Sequence, residues 1–348
     1  MKLNVLRITN AAADAVSLYF ERTQELENFK AGQHGLFSFL IDGNRYTRSY
    51  SFHTAPGDSE IGITVRTVNN GVVSNYLRTA KSGEMIDLEA VSGDFFVEPV
   101  EEIKRHMVMF AGGSGITPIF SMIKAILYGE PRSKISLIYS NKDHESIIFA
   151  NELNTLQELF PNRLKVYHVI TRQKDGAAGF PVYYQGRLSK LVTRKILQSI
   201  QSEMSYCTEY YLCGPYAFMQ MIDAAIQSLN TDRTKIHKEH FFVPDSDESS
   251  LNLSNLPTRE IIIQNEYEDR LLIVDGGKSI LQAANENNFK LRFSCAEGKC
   301  GTCRASLVSG QVTHRRNHIL SEDELKAGQV LLCQGYPTSW GVTIKVRQ

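Results

Sequence analysis

The sequence carries no excess of either charge: 38 basic residues are matched by 38 acidic ones in a chain of 348. That balance removes the electrostatic case for nucleic acid or an anionic membrane as a partner. No run of about eighteen apolar residues occurs, so no membrane-spanning helix is expected. The first residues, Met1-Lys2-Leu3-Asn4-Val5-Leu6, alternate like a strand and lack the apolar core of a signal peptide. The nine histidines are scattered, no Ser/His/Asp arrangement is evident, and no G-x-G-x-x-G fingerprint or internal repeat is present. Cysteine is scarce. There are six, four of them near the C-terminus. Free thiols in such a pattern imply a reducing compartment, and a cytoplasmic protein is expected. Forty-two per cent hydrophobic residues are enough for packed cores, and the length suits two or three domains.

The four clustered cysteines are Cys295, Cys300, Cys303 and Cys333. Cys295-Ala-Glu-Gly-Lys-Cys300-Gly-Thr-Cys303 followed by a distant Cys333 has the C-x4-C-x2-C…C spacing of a plant-type [2Fe-2S] site. Structural zinc usually takes two C-x2-C pairs, and only one exists here. Three disulfide partners within nine residues would be crowded. No histidine pair replaces two of the cysteines as in a Rieske centre. Gly298, Gly301 and Thr302 suit a tight loop that turns backbone amides toward sulfur. Cys207 has no motif and is read as structural.

Three compositional regions are expected. Residues 1–102 contain short alternating runs broken by Gly, Asp and Asn, with a hairpin at Asp42-Gly43-Asn44, and predict an antiparallel β-barrel. Residues 103–243 alternate strand-like and helix-like segments and predict an α/β domain with a parallel, doubly wound sheet. "HMVMFAGGSGITPIFSMIKAIL" reads as strand, glycine turn and helix; "KISLIYS", "LKVYHVIT" and "EYYLCGP" read as further strands. Residues 244–258, polar and Ser-rich, read as a linker. Residues 259–348 form the third region, around the cysteines.

That third region resembles a plant-type ferredoxin of the β-grasp (α+β) class. "IVDGGKSILQAANENN" resembles the strand and helix before the cluster loop; "ASLVSGQV" and "LLCQGYP" resemble the strands after it. The first two regions resemble the ferredoxin–NADP reductase superfamily. The carriers of that likeness are Arg48-Ser49-Tyr50-Ser51, Gly71-Val72-Val73-Ser74, Ala111-Gly112-Gly113-Ser114-Gly115-Ile116-Thr117-Pro118 and Cys213-Gly214-Pro215. The resemblance implies that Arg48 contacts flavin phosphate, Tyr50 stacks on the flavin, and Ser51 lies near its reactive nitrogen. It gives Gly71, Val73 and Ser74 to a pyrophosphate, which favours FAD over FMN, and Val65 to the strand lining the flavin. It also gives Gly112, Gly113, Ser114, Gly115 and Thr117 to the nicotinamide nucleotide, and Cys213, Gly214 and Pro215 to the place of hydride transfer. Glu239 could match a carboxylate that some members hold near the flavin, but reads more readily as an ordinary polar residue. Ser140, Asn141 and Lys142, with Arg172 after the next strand, offer partners for a 2′-phosphate, so NADPH is preferred slightly over NADH.

Taken together, the chain resembles reductase components of bacterial oxygenases that run flavin, nucleotide, ferredoxin, and within them the phenylacetate-degradation oxidoreductases. The resemblance implies an NAD(P)H-dependent reductase passing electrons through FAD and a [2Fe-2S] cluster to a protein acceptor. A multicomponent di-iron oxygenase such as phenylacetyl-CoA epoxidase is the expected partner. A stand-alone reductase serving a hybrid-cluster protein, desaturase or hydroxylase is the alternative, as is a redox-sensing module.

Overall fold

The computed structural model describes residues 1–172, 182–200, 207–241, 253, 256–265, 268–293, 296, 298, 301–317 and 319–346. The chain divides into two compact units, Met1–Phe241 and Phe242–Gln348. Most of the expected linker, together with Cys295 and Cys300, lies outside the described residues.

The first unit opens with strands β1 (Lys2–Ala12), β2 (Ala15–Glu21), β3 (His34–Ile41), β4 (Asn44–Ser51) and β5 (Glu60–Arg66), helix α1 (Val72–Thr79) and strand β6 (Met85–Ser92). They form an antiparallel sheet in the order β4-β3-β6-β1-β2-β5. Phe52 bridges to Ile63 and draws the two edges together, so the sheet curls into the expected barrel. Alternation explains it: Leu3 and Val5, Leu18 and Phe20, and Ile61 and Ile63 point inward and are fully buried. Each such side chain contributes about 1.5–3 kcal/mol of burial. The β3–β4 hairpin has two linking residues, Asp42 and Gly43, with φ of 49° and 75°. Two positive φ values make the turn whose twist matches the flanking strands.

The same unit continues with β7 (His106–Gly112), α2 (Ile116–Gly129), β8 (Lys134–Asn141), α3 (Ala150–Leu159), β9 (Leu164–Ile170), β10 (Val182–Gln185), α4 (Lys190–Ser199), β11 (Thr208–Cys213), α5 (Tyr216–Gln227) and β12 (Ile236–Glu239). All six strands are parallel, in the order β10-β9-β8-β7-β11-β12. Every residue of β7 is buried, as a central parallel strand requires. Helices α2 and α3 pack on one face and α4 and α5 on the other. Strand order reverses between β7 and β11, and crevices at such reversals, beyond the carboxyl ends of strands, are where ligands bind. β10 and β12 are short edge strands without an apolar run, and sequence patterning does not reveal them.

Barrel and parallel sheet share packing. Ala15, Ala31, Phe95 and Val97 join the core of β7 and α2. Ser121 Oγ donates to the Thr54 carbonyl at 2.7 Å, and Arg66 donates to the Ser146 carbonyl at 2.5 Å. Beneath the sheet, Glu130 is fully buried and bound by Arg105 at 2.7 and 3.1 Å and by Ser133 at 2.7 Å. Arg105 also reaches Glu209, whose carboxyl is held down to about 2, first by its bond to His237, then by Tyr211 and Arg105.

The second unit contains β13 (Arg259–Gln264), β14 (Asp269–Val274), α6 (Ile280–Glu286), β15 (Arg304–Ser309), β16 (Val312–His314), α7 (Glu322–Lys326), β17 (Gln329–Leu331), β18 (Gly335–Pro337) and β19 (Val342–Lys345). Its main sheet runs β14-β13-β19-β15-β17 with β13 and β19 parallel, and α6 packs its apolar face into the same core. This is the expected β-grasp arrangement. Ser279 and Gln282 close a reciprocal cap on α6.

Candidate functional site

Strand β4 carries four of the sequence-derived residues, Arg48, Ser49, Tyr50 and Ser51. Its hairpin partner β3 fixes their register, with Tyr50 opposite Gly35 and Ser51 opposite His34. Tyr50 is half-buried, with ring centroids 6.1 Å from Phe37 and 6.3 Å from Phe39. Burial pushes its phenol up, so it remains neutral. Arg48 is exposed. It donates to the Thr47 carbonyl at 2.7 Å and makes no ion pair among the described residues. A cation without a carboxylate partner on an edge strand is suited to an anionic ligand. Ser49 is exposed on the same strand, and Val65 is buried on β5.

Gly71 caps α1, and Ser74 lies one turn in. The Ser74 hydroxyl donates to the Gly71 carbonyl at 3.3 Å and accepts from the Val68 amide at 3.2 Å. A Cβ on Gly71 would lie 2.5 Å from that hydroxyl, so a larger residue there would turn the Ser74 side chain away from the Val68 amide. Val73 is buried and anchors the helix to the barrel. The amides opening a helix have no intrahelical partner and point at whatever approaches.

The two glycine motifs of the parallel sheet meet at its switch point. β7 ends in Gly112 beside Ala111, which pairs with Cys213 on β11. A Cβ on Gly115 would lie 2.2 Å from the Cys213 carbonyl oxygen and 2.7 Å from the Gly214 nitrogen. A Cβ on Gly112 would lie 2.8 Å from Pro215. These glycines are therefore required for one turn to seat against the other, a use that their spacing alone does not show. Gly113 adopts φ 55° with the Arg66 guanidinium alongside. Thr117 is buried in the first turn of α2, donating to the Ser114 carbonyl at 3.0 Å. Cys213 is fully buried, and burial, then the Glu239 charge, push its thiol well up. It is a neutral thiol.

Glu239 belongs to this site, contrary to its reading as an ordinary polar residue. On β12 it pairs with Cys213. Its carboxylate reaches across to the barrel, where Oε2 accepts from Ser51 Oγ at 3.5 Å and Oε1 lies 3.3 Å from His34 Nδ1. His34 has no sequence motif. Backbone register could have found both only after the strands were placed.

Ser140 pairs with Gly112 at the end of β8. Just beyond, the Arg172 amide donates to the Lys142 carbonyl at 2.6 Å, so two cationic residues follow adjacent strand ends. Arg172 is exposed.

In the second unit, antiparallel pairing of β15 with β17 continues outward, and the Leu332 amide donates to the Cys303 carbonyl at 3.0 Å. Cys303 and Cys333 are thus brought onto neighbouring chain segments, both buried. Ala296, Gly298 and Gly301 have φ of 55°, 76° and 77°. Gln334 Nε2 donates to the Ala296 carbonyl at 2.9 Å, holding that loop beside Cys333. Thr302 Oγ1 and Gln334 Oε1 are buried and have no hydrogen-bond partner among the described residues. Paired thiols, a left-handed loop and orphaned polar atoms fit a cluster seat; the other two expected ligands, Cys295 and Cys300, lie outside the described residues.

Comparison with known proteins gives a domain family to each of the three regions. Residues 2–97 match the oxidoreductase FAD-binding domain, 109–224 the oxidoreductase NAD-binding domain and 262–338 the 2Fe-2S iron-sulfur cluster binding domain. One of the subunits of 1,2-phenylacetyl-CoA epoxidase from Escherichia coli (strain K12) is 28% identical over 348 residues, covering 98% of this chain and 96% of its own. The ferredoxin reductase component of 3-ketosteroid-9-alpha-monooxygenase from Rhodococcus rhodochrous is 27% identical, covering 97% and 94%. The solved structure of phthalate dioxygenase reductase aligns with TM-score 0.59 at 22% identity, covering 99% of this chain and 98% of that one. No helix among the described residues is long and apolar enough to cross a membrane.

Proposed function

We propose that this chain, an NAD(P)H-dependent oxidoreductase with FAD-binding, NAD-binding and 2Fe-2S domains, is the reductase component of a phenylacetyl-CoA epoxidase. Bound FAD would supply the link between a two-electron hydride donor and a one-electron cluster. The protein's own residues do the rest. Arg48 and the opening amides of α1, at Gly71, Val73 and Ser74, hold the anionic part of the flavin. Tyr50 supplies a neutral aromatic face, with Ser49 beside it on β4 and Val65 on β5. The Gly112–Gly115 turn and Thr117 receive the nucleotide, with Gly214 and Pro215 forming the opposite wall. Ser51, Cys213 and Glu239, brought together by the Ser51–Glu239 contact and the β11–β12 pairing, would border the flavin and nicotinamide rings. Cys213 contributes bulk and a buried neutral thiol, and Glu239 holds the Ser51 hydroxyl in one orientation. Ser140 and the Lys142–Arg172 pair favour NADPH over NADH by offering donors to a 2′-phosphate. In the second unit Cys295, Cys300, Cys303 and Cys333 hold the cluster.

The observation that carries the proposed partner is end-to-end likeness to the Escherichia coli epoxidase protein, with alignment over nearly the whole of both chains. The test is reconstitution with epoxidase oxygenase components lacking their reductase. Phenylacetyl-CoA-dependent oxygen uptake driven by NADPH or NADH is expected. Cytochrome c reduction without that coupling would overturn the partner and favour a stand-alone reductase. Anaerobic NADPH and NADH, each added while flavin and cluster absorption is followed, rank the two nucleotides.

A further inference from the structure

Three side chains form a row across the barrel. β3 lies between β4 and β6, and its His34 is opposite Ser51 on one side and opposite Ser92 on the other. Directly opposed residues point to the same face of a sheet, so Ser51, His34 and Ser92 stand together. The imidazole is used at both ends: Nε2 lies 3.1 Å from Ser92 Oγ and Nδ1 lies 3.3 Å from Glu239 Oε1. Gly93, at φ 118°, leaves room for the ring, because a Cβ there would lie 3.0 Å from Nδ1. Glu239 arrives from β12 and straddles the row, one oxygen on His34 and the other on Ser51. Both members of the His34–Glu239 contact are nearly buried, with side chains 6% and 11% exposed. A carboxylate withdrawn from water needs partners of fixed geometry, and Ser51 at 3.5 Å is a weak one alone.

We propose that His34 is a positioning residue for hydride transfer: braced by Ser92, it fixes the Glu239 carboxylate on Ser51 and so ties the β12 strand of the nucleotide-binding sheet to the flavin-binding barrel. This rests on the reductase reading above. His34 needs no contact with substrate or cofactor. Its influence passes through Glu239 to the Ser51 hydroxyl and to the register of β12 beside Cys213.

The test is a double-mutant cycle in the full-length holoprotein with His34→Leu, Glu239→Gln and their combination, and with His34→Asn as the conservative variant. Asparagine places an amide nitrogen where Nδ1 stands and loses only the Ser92 brace. Two readouts are taken: the limiting rate of flavin bleaching by NADPH in single turnover, and the temperature of flavin release. His34→Leu and Glu239→Gln should each slow bleaching about tenfold, leave the nucleotide dissociation constant unchanged, and lower flavin release by about 2–4 °C. The double variant should be no worse than the poorer single one, because each removes the same contact. His34→Asn should stay within about threefold of the parent rate. Multiplying effects in the double variant, a His34→Leu protein that bleaches like the parent, or a His34→Asn protein as slow as His34→Leu would each overturn the proposal. If the parent protein bound no flavin, the reductase reading itself would fail, which is a different result.

Discussion

The two units assemble their chemistry from very different spans of chain. In the second unit, three of the four expected cluster cysteines fall between 295 and 303, and one antiparallel pairing brings up Cys333. In the first, His34, Ser51, Cys213 and Glu239 come from four separate strands, and only the register of two sheets and the contact between them make them neighbours. A site of local origin tolerates changes in the surrounding fold but not in its ligands. A site of distributed origin depends on backbone contacts far from any reacting atom.

That contrast can be broken most severely at a ligand. Cys333→Ser, like Cys300→Ser, should reduce NADPH-driven cytochrome c reduction to background while leaving ferricyanide reduction by the first unit intact. Equal loss of both activities would mean that the units are not separable. The next largest effect is a packing change. Gly115→Ala drives a methyl group against the Cys213 carbonyl, and should destabilise the first unit by about 3 kcal/mol in urea unfolding followed by flavin release. The cluster absorption of the second unit should not follow that transition. A coincident transition would remove the distinction.

Acid sharpens the comparison more gently. Glu209 is held at about 2, against an ordinary 4.5, chiefly by its bond to His237. Its ionised form is favoured by folding. The stability it contributes is therefore present above pH 4.5 and is lost as pH falls toward 2, at no more than about 1.4 kcal/mol per pH unit. Glu209→Gln should flatten that slope in the first unit, measured by chemical unfolding at stepped pH. An unchanged slope would reject the assignment. The smallest effect is expected at the nucleotide. Arg172→Ala should lower kcat/KM for NADPH about fivefold and leave NADH unchanged, a loss of about 1 kcal/mol. Equal changes for both would remove the reason to prefer NADPH.

Legibility followed the same division. The cysteine spacing points to its candidate ligands directly, since one tight loop would supply three of the four. Arg48-x-Tyr50-Ser51, the Gly112–Thr117 turn and Cys213-Gly214-Pro215 could be read because each is a contiguous run at the end of a strand. His34 and Glu239 could not. They are separated by most of the first unit, and β12, the four-residue strand carrying Glu239, has no apolar pattern to announce it. The glycines were legible as a turn but not in their purpose. That Gly112 and Gly115 are spent on the Cys213–Pro215 turn emerges only when both strand ends stand side by side.

The parallel pairing of β13 with β19 has a consequence during synthesis. Ile261 lies beside Val342, and β19 is the strand that joins β13 to β15. Until residues 342–345 leave the ribosome, the nascent sheet is two unconnected pieces with Ile261, Ile263 and Ala305 uncovered. Cys295, Cys300, Cys303 and Cys333 emerge before that moment, so cluster insertion must either wait for β19 or act on a chain whose interior is still open to water and oxygen.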